Sequence, residues 1–217
     1  MRRRSVLFTI GKLGKRIFTT REIAMVSGKS SSAVTQALNN LAREGIVDKI
    51  YRGVWTREND EAISPFAVMP HLFPGHRVYV SFISALHLHG IIEQIPQITT
   101  LAATFHARKI STKIGVFQAY HITPSFFAGF GWYKDNGNFL VAEPEKAFVD
   151  CLYLSAHKGR RFGHFPELHF PASFSFKRAI AWADKIHGKT ARLHVKKMIA
   201  AIRSTCSRRS CKSGIFP

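Results

Sequence analysis

A chain of 217 residues with 46% hydrophobic content is long enough to bury a core. Its formal net charge of +19 draws polyanions, nucleic acid or an anionic membrane surface. Cys151, Cys206 and Cys211 are too few and too scattered for a secreted disulfide framework.

The charge is unevenly placed. Residues 1–57 hold 12 basic and 3 acidic residues, residues 58–176 hold 9 of each, and residues 177–217 hold 11 basic residues against Asp184. Basic ends around a neutral middle argue for localised contacts with a polyanion. The opening MRRRSVLFTIGKLG resembles a signal peptide, but Lys12, Lys15 and Arg16 interrupt its apolar stretch and no small-residue cleavage site follows. The longest uncharged run, Ile114 to Tyr133, contains Gln118, His121, Pro124, Gly129 and Gly131, which do not suit a bilayer helix. A cytoplasmic protein with no membrane partner is expected.

In chain order, RRSVLFTIGKLG predicts a first helix with Val6, Leu7, Ile10 and Leu13 inward. IFTTREIAMVSG predicts a short extended entry and then a helix capped by Thr19 or Thr20, with Ile23, Ala24 and Val26 apolar. The following Gly28-Lys29-Ser30 has the ending of a phosphate-binding loop. That loop needs a glycine at position 23, which is Ile23, and should follow a buried strand rather than an amphipathic helix. The same residues serve better as a turn and N-cap. Ser30 starts a helix with Val34, Ala37, Leu38 and Leu41 on one face, and Gly45 stops it. The opposite face carries Ser31, Ser32, Thr35, Gln36, Asn39, Asn40 and Arg43, with Glu44 only at the far end. Such a row suits base edges and phosphates better than solvent, where Glu and Lys would mix.

IVDKIYRGVWTR then predicts a hairpin turning at Arg52-Gly53, completing a winged helix-turn-helix pattern. Gln36 and Asn39 can pair with adenine in the major groove. Lys29, Ser30, Ser31, Ser32, Thr20, Thr35, Asn40 and Arg43 suit phosphates or base edges. Arg52 at the tip, Lys49 beside it and the tail Arg2, Arg3 and Arg4 suit the backbone or minor groove.

RENDEAISPF marks a polar break, so the expected domains are 1–60, 61–203 and a basic disordered tail 204–217. SPFAVMPHLFPG predicts a short helix ended by Pro70 or Pro74, and YVSFISALHLHGII one from about Ser81 to His89. ITTLAATF, KIGVFQAYHIT and GNFLVAE predict strands, with a turn at Asp135-Asn136-Gly137-Asn138. AEPEKAFVDCLYLSA predicts a helix with Pro144 in its first turn and Phe148, Cys151 and Leu152 facing a core. Two further helices flank Gly188. The fold class is α+β: a winged helix-turn-helix domain, then a mixed α/β domain with a small, mostly antiparallel sheet and C-terminal helices.

No catalytic, metal or cofactor site is expected. His87 and His89 point to different sides of a helix, and His106, His121, His164, His169 and His194 lack partners at ligand spacing. Cys206 and Cys211 lack a partner pair for zinc. Glu143, Glu145 and Asp150 are accounted for by helix capping and exposed helix positions, and the aromatic SFFAGFGWY by core packing.

The order of motifs resembles a family. A winged helix-turn-helix ending in YRGVW, then Ser84-Ala85-Leu86 with His89-Gly90, then Pro144-Glu145-Lys146-Ala147 with Asp150, is similar to the AbiEi family of antitoxins over roughly Val6 to Leu154. The resemblance implies a type IV toxin–antitoxin system: an autorepressor binding inverted repeats in its own promoter, with antitoxin activity in the second domain. The functional partner would be a nucleotidyltransferase-like toxin, without a stable complex. The residues themselves also admit a stand-alone regulator whose second domain senses a ligand or protein, and a nucleic-acid-processing enzyme that grips substrate with its basic ends.

Overall fold

The computed structural model describes residues 5–57, 63–133, 139–157, 162 and 165–210, with side chains of the last helix described to residue 205. Helix α1 (Val6–Leu13) is capped by the Ser5 hydroxyl, which accepts from the Phe8 amide. It buries Val6, Thr9 and Ile10. Leu7 faces solvent, contrary to expectation, because a helix of two turns can turn only one stripe inward.

Strand β1 (Ile17–Thr19) leads into α2 (Thr20–Ser27), and Thr19 is the cap. Its hydroxyl accepts from the Glu22 amide while the Glu22 carboxylate accepts from the Thr19 amide, a reciprocal capping box. Burial raises the Glu22 pKa, but Lys15 at 2.6 Å and the Thr19 amide and hydroxyl outweigh it and hold the carboxyl below its ordinary value. A depressed carboxylate stabilises the fold above its unfolded pKa, and that stability is lost as pH falls through the lowered folded pKa. Glu22→Gln should therefore cost about 0.5–1 kcal/mol near neutrality. The difference from wild type, read by urea unfolding, should shrink as the solution is acidified and vanish once pH lies below the lowered Glu22 pKa.

Gly28, at φ 68°, makes the turn into α3 (Ser31–Arg43). After α3, Gly45 adopts φ 72° and the Ile46 amide returns to the Leu41 carbonyl, closing the helix. Strands β2 (Val47–Tyr51) and β3 (Val54–Arg57) form the expected hairpin, and β3 also pairs with β1. The core beneath the three helices is Val6, Ile10, Phe18, Ile23, Val34, Leu38, Val47 and Trp55.

The expected boundary at residue 60 and the expected turn at 135–138 lie outside the described residues. Helix α4 (Pro65–Leu72) runs through Pro70, so Pro70 does not end it. Burial of Val68, Met69 and Leu72 offsets the backbone bond that proline removes. The described residues then form a six-stranded sheet in the order β6-β7-β5-β4-β9-β8. Its strands are β4 (Val78–Val80), β5 (Ile98–Ala103), β6 (Arg108–Ser111), β7 (Val116–His121), β8 (Phe130–Trp132) and β9 (Leu140–Ala142). Its β4–β5, β6–β7 and β8–β9 pairings are antiparallel, and β4–β9 and β5–β7 are parallel.

Helices α5 (Phe82–Leu88) and α6 (Pro144–Ser155) pack together, with α7 (Phe176–Asp184) and α8 (Lys189–Ser210) beyond. Helix α8 is anchored by the buried Val195 and Ile199 and runs to Ser210, into the segment 204–217 expected as a tail. No helix among the described residues is long and apolar enough to cross a membrane.

Gly129 shows how tightly the second half is packed. Its φ is +75°, and a Cβ there would lie 2.4 Å from Trp182 Cζ2. Gly129→Ala combines left-handed strain with overpacking and should cost roughly 2–3 kcal/mol, seen as a lowered Tm.

Candidate DNA interface

Helix α3 is built to show its polar face. Val34 and Leu38 lie four residues apart and are fully buried, which turns Ser31, Ser32, Gln36, Asn40 and Arg43 into solvent. Thr35 and Asn39 are half-buried at its margins. No described residue of the second half covers the exposed part of this face.

Several hydroxyls on α3 already serve the helix. Ser30 Oγ accepts from the Ala33 amide at 3.3 Å and lies 3.2 Å from Ser32 Oγ. The Thr35 hydroxyl donates to the Ser31 carbonyl at 2.8 Å. Arg43 Nη1 donates to Asn40 Oδ1 at 3.3 Å. The side-chain amides of Gln36 and Asn39 make no hydrogen bond with any described residue, so each keeps donor and acceptor for a ligand. Lys29, half-buried, stands in the turn before α3, where the unpaired helix amides and positive helix end favour an anion.

Arg52 and Lys49 are exposed on the β2–β3 hairpin, with the Lys49 ammonium 5.4 Å from the Trp55 ring centroid. Thr20 has a different part. Its hydroxyl oxygen accepts from Trp55 Nε1 at 2.9 Å, tying α2 to β3. It positions the wing against the helices, which the sequence could not show because the bond spans 35 residues. Arg2, Arg3 and Arg4 lie outside the described residues.

The back of this domain is fastened to the second half. Ile17, Ile50 and Val54 join the larger core, and the Lys113 amide donates to the Ile50 carbonyl at 3.2 Å. Lys113 also pairs with Asp48 at 2.8 Å, neutralising the only acidic side chain of the hairpin.

The described residues present a polar helix face, a basic turn and a basic hairpin tip, and the one acid of the hairpin, Asp48, is paired with Lys113. Residues 7–57, from α1 to the end of β3, match the family described as AbiEi antitoxin transcriptional regulator. Over these residues the chain is similar to that family. No curated protein matches the chain. The AbiEi match ends with the hairpin, so the second half rests on its own geometry.

There the residues that carry the resemblance are structural. Ser84 accepts from the Thr100 amide at 2.8 Å and donates to the Ile98 carbonyl, and His89 Nε2 meets the Ala142 carbonyl at 2.7 Å. His87 likewise bonds a backbone carbonyl, that of Ile92. Among the described residues no group of histidines, cysteines and acids could hold a metal.

Expectation fails for the carboxylates of α6. Glu145 and Asp150 are buried, not exposed, because α6 is enclosed on nearly all sides. Asp150 forms an ion pair with Lys146 one turn away. It also accepts from the Ser81 hydroxyl at 2.7 Å and the Tyr79 hydroxyl at 3.2 Å. The Lys146 ammonium lies 3.8 Å from the Phe126 ring centroid. Burial pushes Asp150 up and Lys146 down from their ordinary values, while their mutual contact opposes both shifts. The same burial raises the Tyr79 phenol, reinforced by the Asp150 charge.

Asp150 also secures a strained corner. Ser81 precedes Phe82, whose φ of 56° is unusual for an aromatic residue, and the Phe82 ring stacks on Phe162 at 5.4 Å. Glu145 Oε1 accepts from the Ser175 amide and Arg178, both at 2.8 Å, joining α6 to α7. Lys146, Asp150, Tyr79 and Ser81 are each 0% exposed, so the cluster offers a substrate no approach. Its chemistry is that of a fastening. A lysine and an aspartate four apart in a helix with apolar residues on every side was the signal in the sequence.

Proposed function

We propose that this chain is a DNA-binding transcriptional autorepressor and the antitoxin of a type IV toxin–antitoxin pair, opposing a nucleotidyltransferase-like toxin without a stable complex. The observation that carries the DNA reading is the exposed Ser31, Ser32, Gln36, Asn40 and Arg43 face of α3, with the half-buried Asn39 at its margin and no acid until Glu44, within the segment similar to the AbiEi regulators. Helix α3 enters the major groove, Gln36 and Asn39 meet base edges, and Lys29 and the start of α3 meet phosphates. Arg52 and Lys49 follow the backbone alongside, as do Arg2, Arg3 and Arg4. The DNA-binding domain ends near residue 60, and residues 61–203 carry antitoxin activity in the cytoplasm by a non-enzymatic route.

Two measurements test this. A duplex from the region upstream of the gene should bind the purified chain more tightly than a scrambled duplex, and the chain should repress a reporter placed behind that region. Equal binding to both duplexes would sink the repressor reading. Co-expression with a neighbouring nucleotidyltransferase-like gene should restore growth. Repression without rescue would leave a stand-alone regulator. Arg52→Ala should weaken both duplexes alike and lower the slope of log affinity against log salt by about 1.

A further inference from the structure

The geometry points to a small-molecule site between α1 and the base of the β2–β3 hairpin, a cleft that takes an amphipathic anion: an apolar body with one acidic head. The site itself is independent of the DNA reading; its role as an effector site rests on that reading.

The cleft has a volume of about 410 Å³, within the range of small-molecule sites. Leu7 and Ile10 of α1 face Ile46 and Val47 across it and supply its apolar lining. Lys15, Arg16 and Arg57 line it as well, and no acid does among the described residues. Lys15 is held by Glu22 at 2.6 Å. Arg57 is exposed and forms no ion pair with a described acid, so its guanidinium is presented to the cleft.

Packing does not account for this arrangement. Leu7 is 49% exposed and Ile46 38% exposed, apolar surface left in water on opposite walls of one cleft. Gly11 is the sharper sign. Gly14 has to be glycine because its φ is 63°, whereas Gly11 sits in ordinary helical backbone. A Cβ on Gly11 would meet no atom within 4 Å. Nothing in the fold therefore requires glycine there, and glycine within a helix costs stability relative to alanine. Gly11 lines the cleft, so a side chain at this position would take up room that a ligand needs.

The lining selects the ligand. Arg57 can hold a carboxylate, sulfonate or phosphate head by paired hydrogen bonds, while Leu7 and Ile46 cover an apolar body. A neutral hydrophobe leaves the cations unanswered, and a bare anion leaves the apolar walls wet. No aromatic side chain among the described residues lines the cleft, so a nucleobase finds nothing to stack on.

The position gives such a ligand leverage. Val47 pairs with Arg57 at the end of the hairpin away from Arg52-Gly53, and Ile46 follows the Gly45 stop of α3. A bound molecule bears at once on the base of the wing and on the end of α3. It favours whichever arrangement it fits better, and duplex DNA changes its affinity by the same factor that it changes the duplex's.

Fluorescence titration of the full-length protein with 8-anilinonaphthalene-1-sulfonate reads the site. Gly11→Leu, which fills the cleft, and Arg57→Gln, which removes its charge, should each weaken binding at least fivefold. Gly11→Ala should raise the Tm by about 1–4 °C and still weaken binding, a combination that a purely structural role of Gly11 does not give. Uncharged N-phenyl-1-naphthylamine and inorganic phosphate should each bind at least tenfold more weakly than the sulfonate. Wild-type binding in Gly11→Leu and Arg57→Gln overturns the proposal, as does equal affinity for either control compound. An equal loss in Arg108→Gln/Lys109→Gln assigns the effect to overall charge and also overturns it. Should Gly11→Leu fail to fold, Gly11→Ala decides. With the sulfonate bound, affinity for the upstream duplex should change at least threefold in wild type and stay constant in Gly11→Leu. Sulfonate binding without that change overturns the effector role. A wild-type chain that binds no duplex counts against the DNA reading and leaves the fluorescence result standing.

Discussion

Asp150→Ala is expected to destabilise the protein by about 3–5 kcal/mol, read from the midpoint of urea unfolding. The substitution leaves the Lys146 ammonium fully buried, with the Tyr79 hydroxyl and the Phe126 and Trp182 rings as neighbours and no anion. It also removes the acceptor for the Ser81 and Tyr79 hydroxyls. The strained Ser81–Phe82 corner loses its tie at the same time. The double change Lys146→Met/Asp150→Leu should recover most of the loss, because no charge then stays uncompensated. An unchanged midpoint in Asp150→Ala would mean that the pair does not form. DNA binding by α3 should persist wherever the protein is folded, which separates this fastening from the reading head.

The second large effect is on binding. Gln36→Ala and Asn39→Ala should each cost about 1–3 kcal/mol on the upstream duplex, while affinity for a scrambled duplex stays near wild type. The reasoning rests on free hydrogen-bonding capacity: both amides lack partners among the described residues, whereas Ser30, Thr35 and Asn40 already bond within the helix. Neither side chain is buried, so the melting temperature should hardly move. If both duplexes lost affinity equally, these amides would be contacting backbone rather than bases. If neither did, α3 would not be the reading element.

Local pattern made the N-terminal domain legible. The Val34–Leu38 spacing, the Ser30 cap, the Gly28 and Gly45 turns and the Arg52-Gly53 hairpin act over one to five residues, and the structure reproduces them. The pattern was less informative where burial is not one-sided. Leu7 reads as core yet faces solvent, and Trp132, within an aromatic run expected inside, is 68% exposed on the edge strand β8. Strands β4, β6 and β8 are three or four residues long and too short for alternation to stand out.

The order of residues thus determined the proposed reading head: which helix is polar, where it starts and stops, and where the positive charge lies. Tertiary structure decided what each charged or polar group does. It turned Asp150 and Glu145 inward, assigned Thr20 to Trp55 and Asp48 to Lys113, and extended α8 beyond Ser204. The reason is range. Caps and turns are settled by neighbours in the chain, whereas the free energy of a carboxylate depends on how much water the rest of the molecule removes from around it.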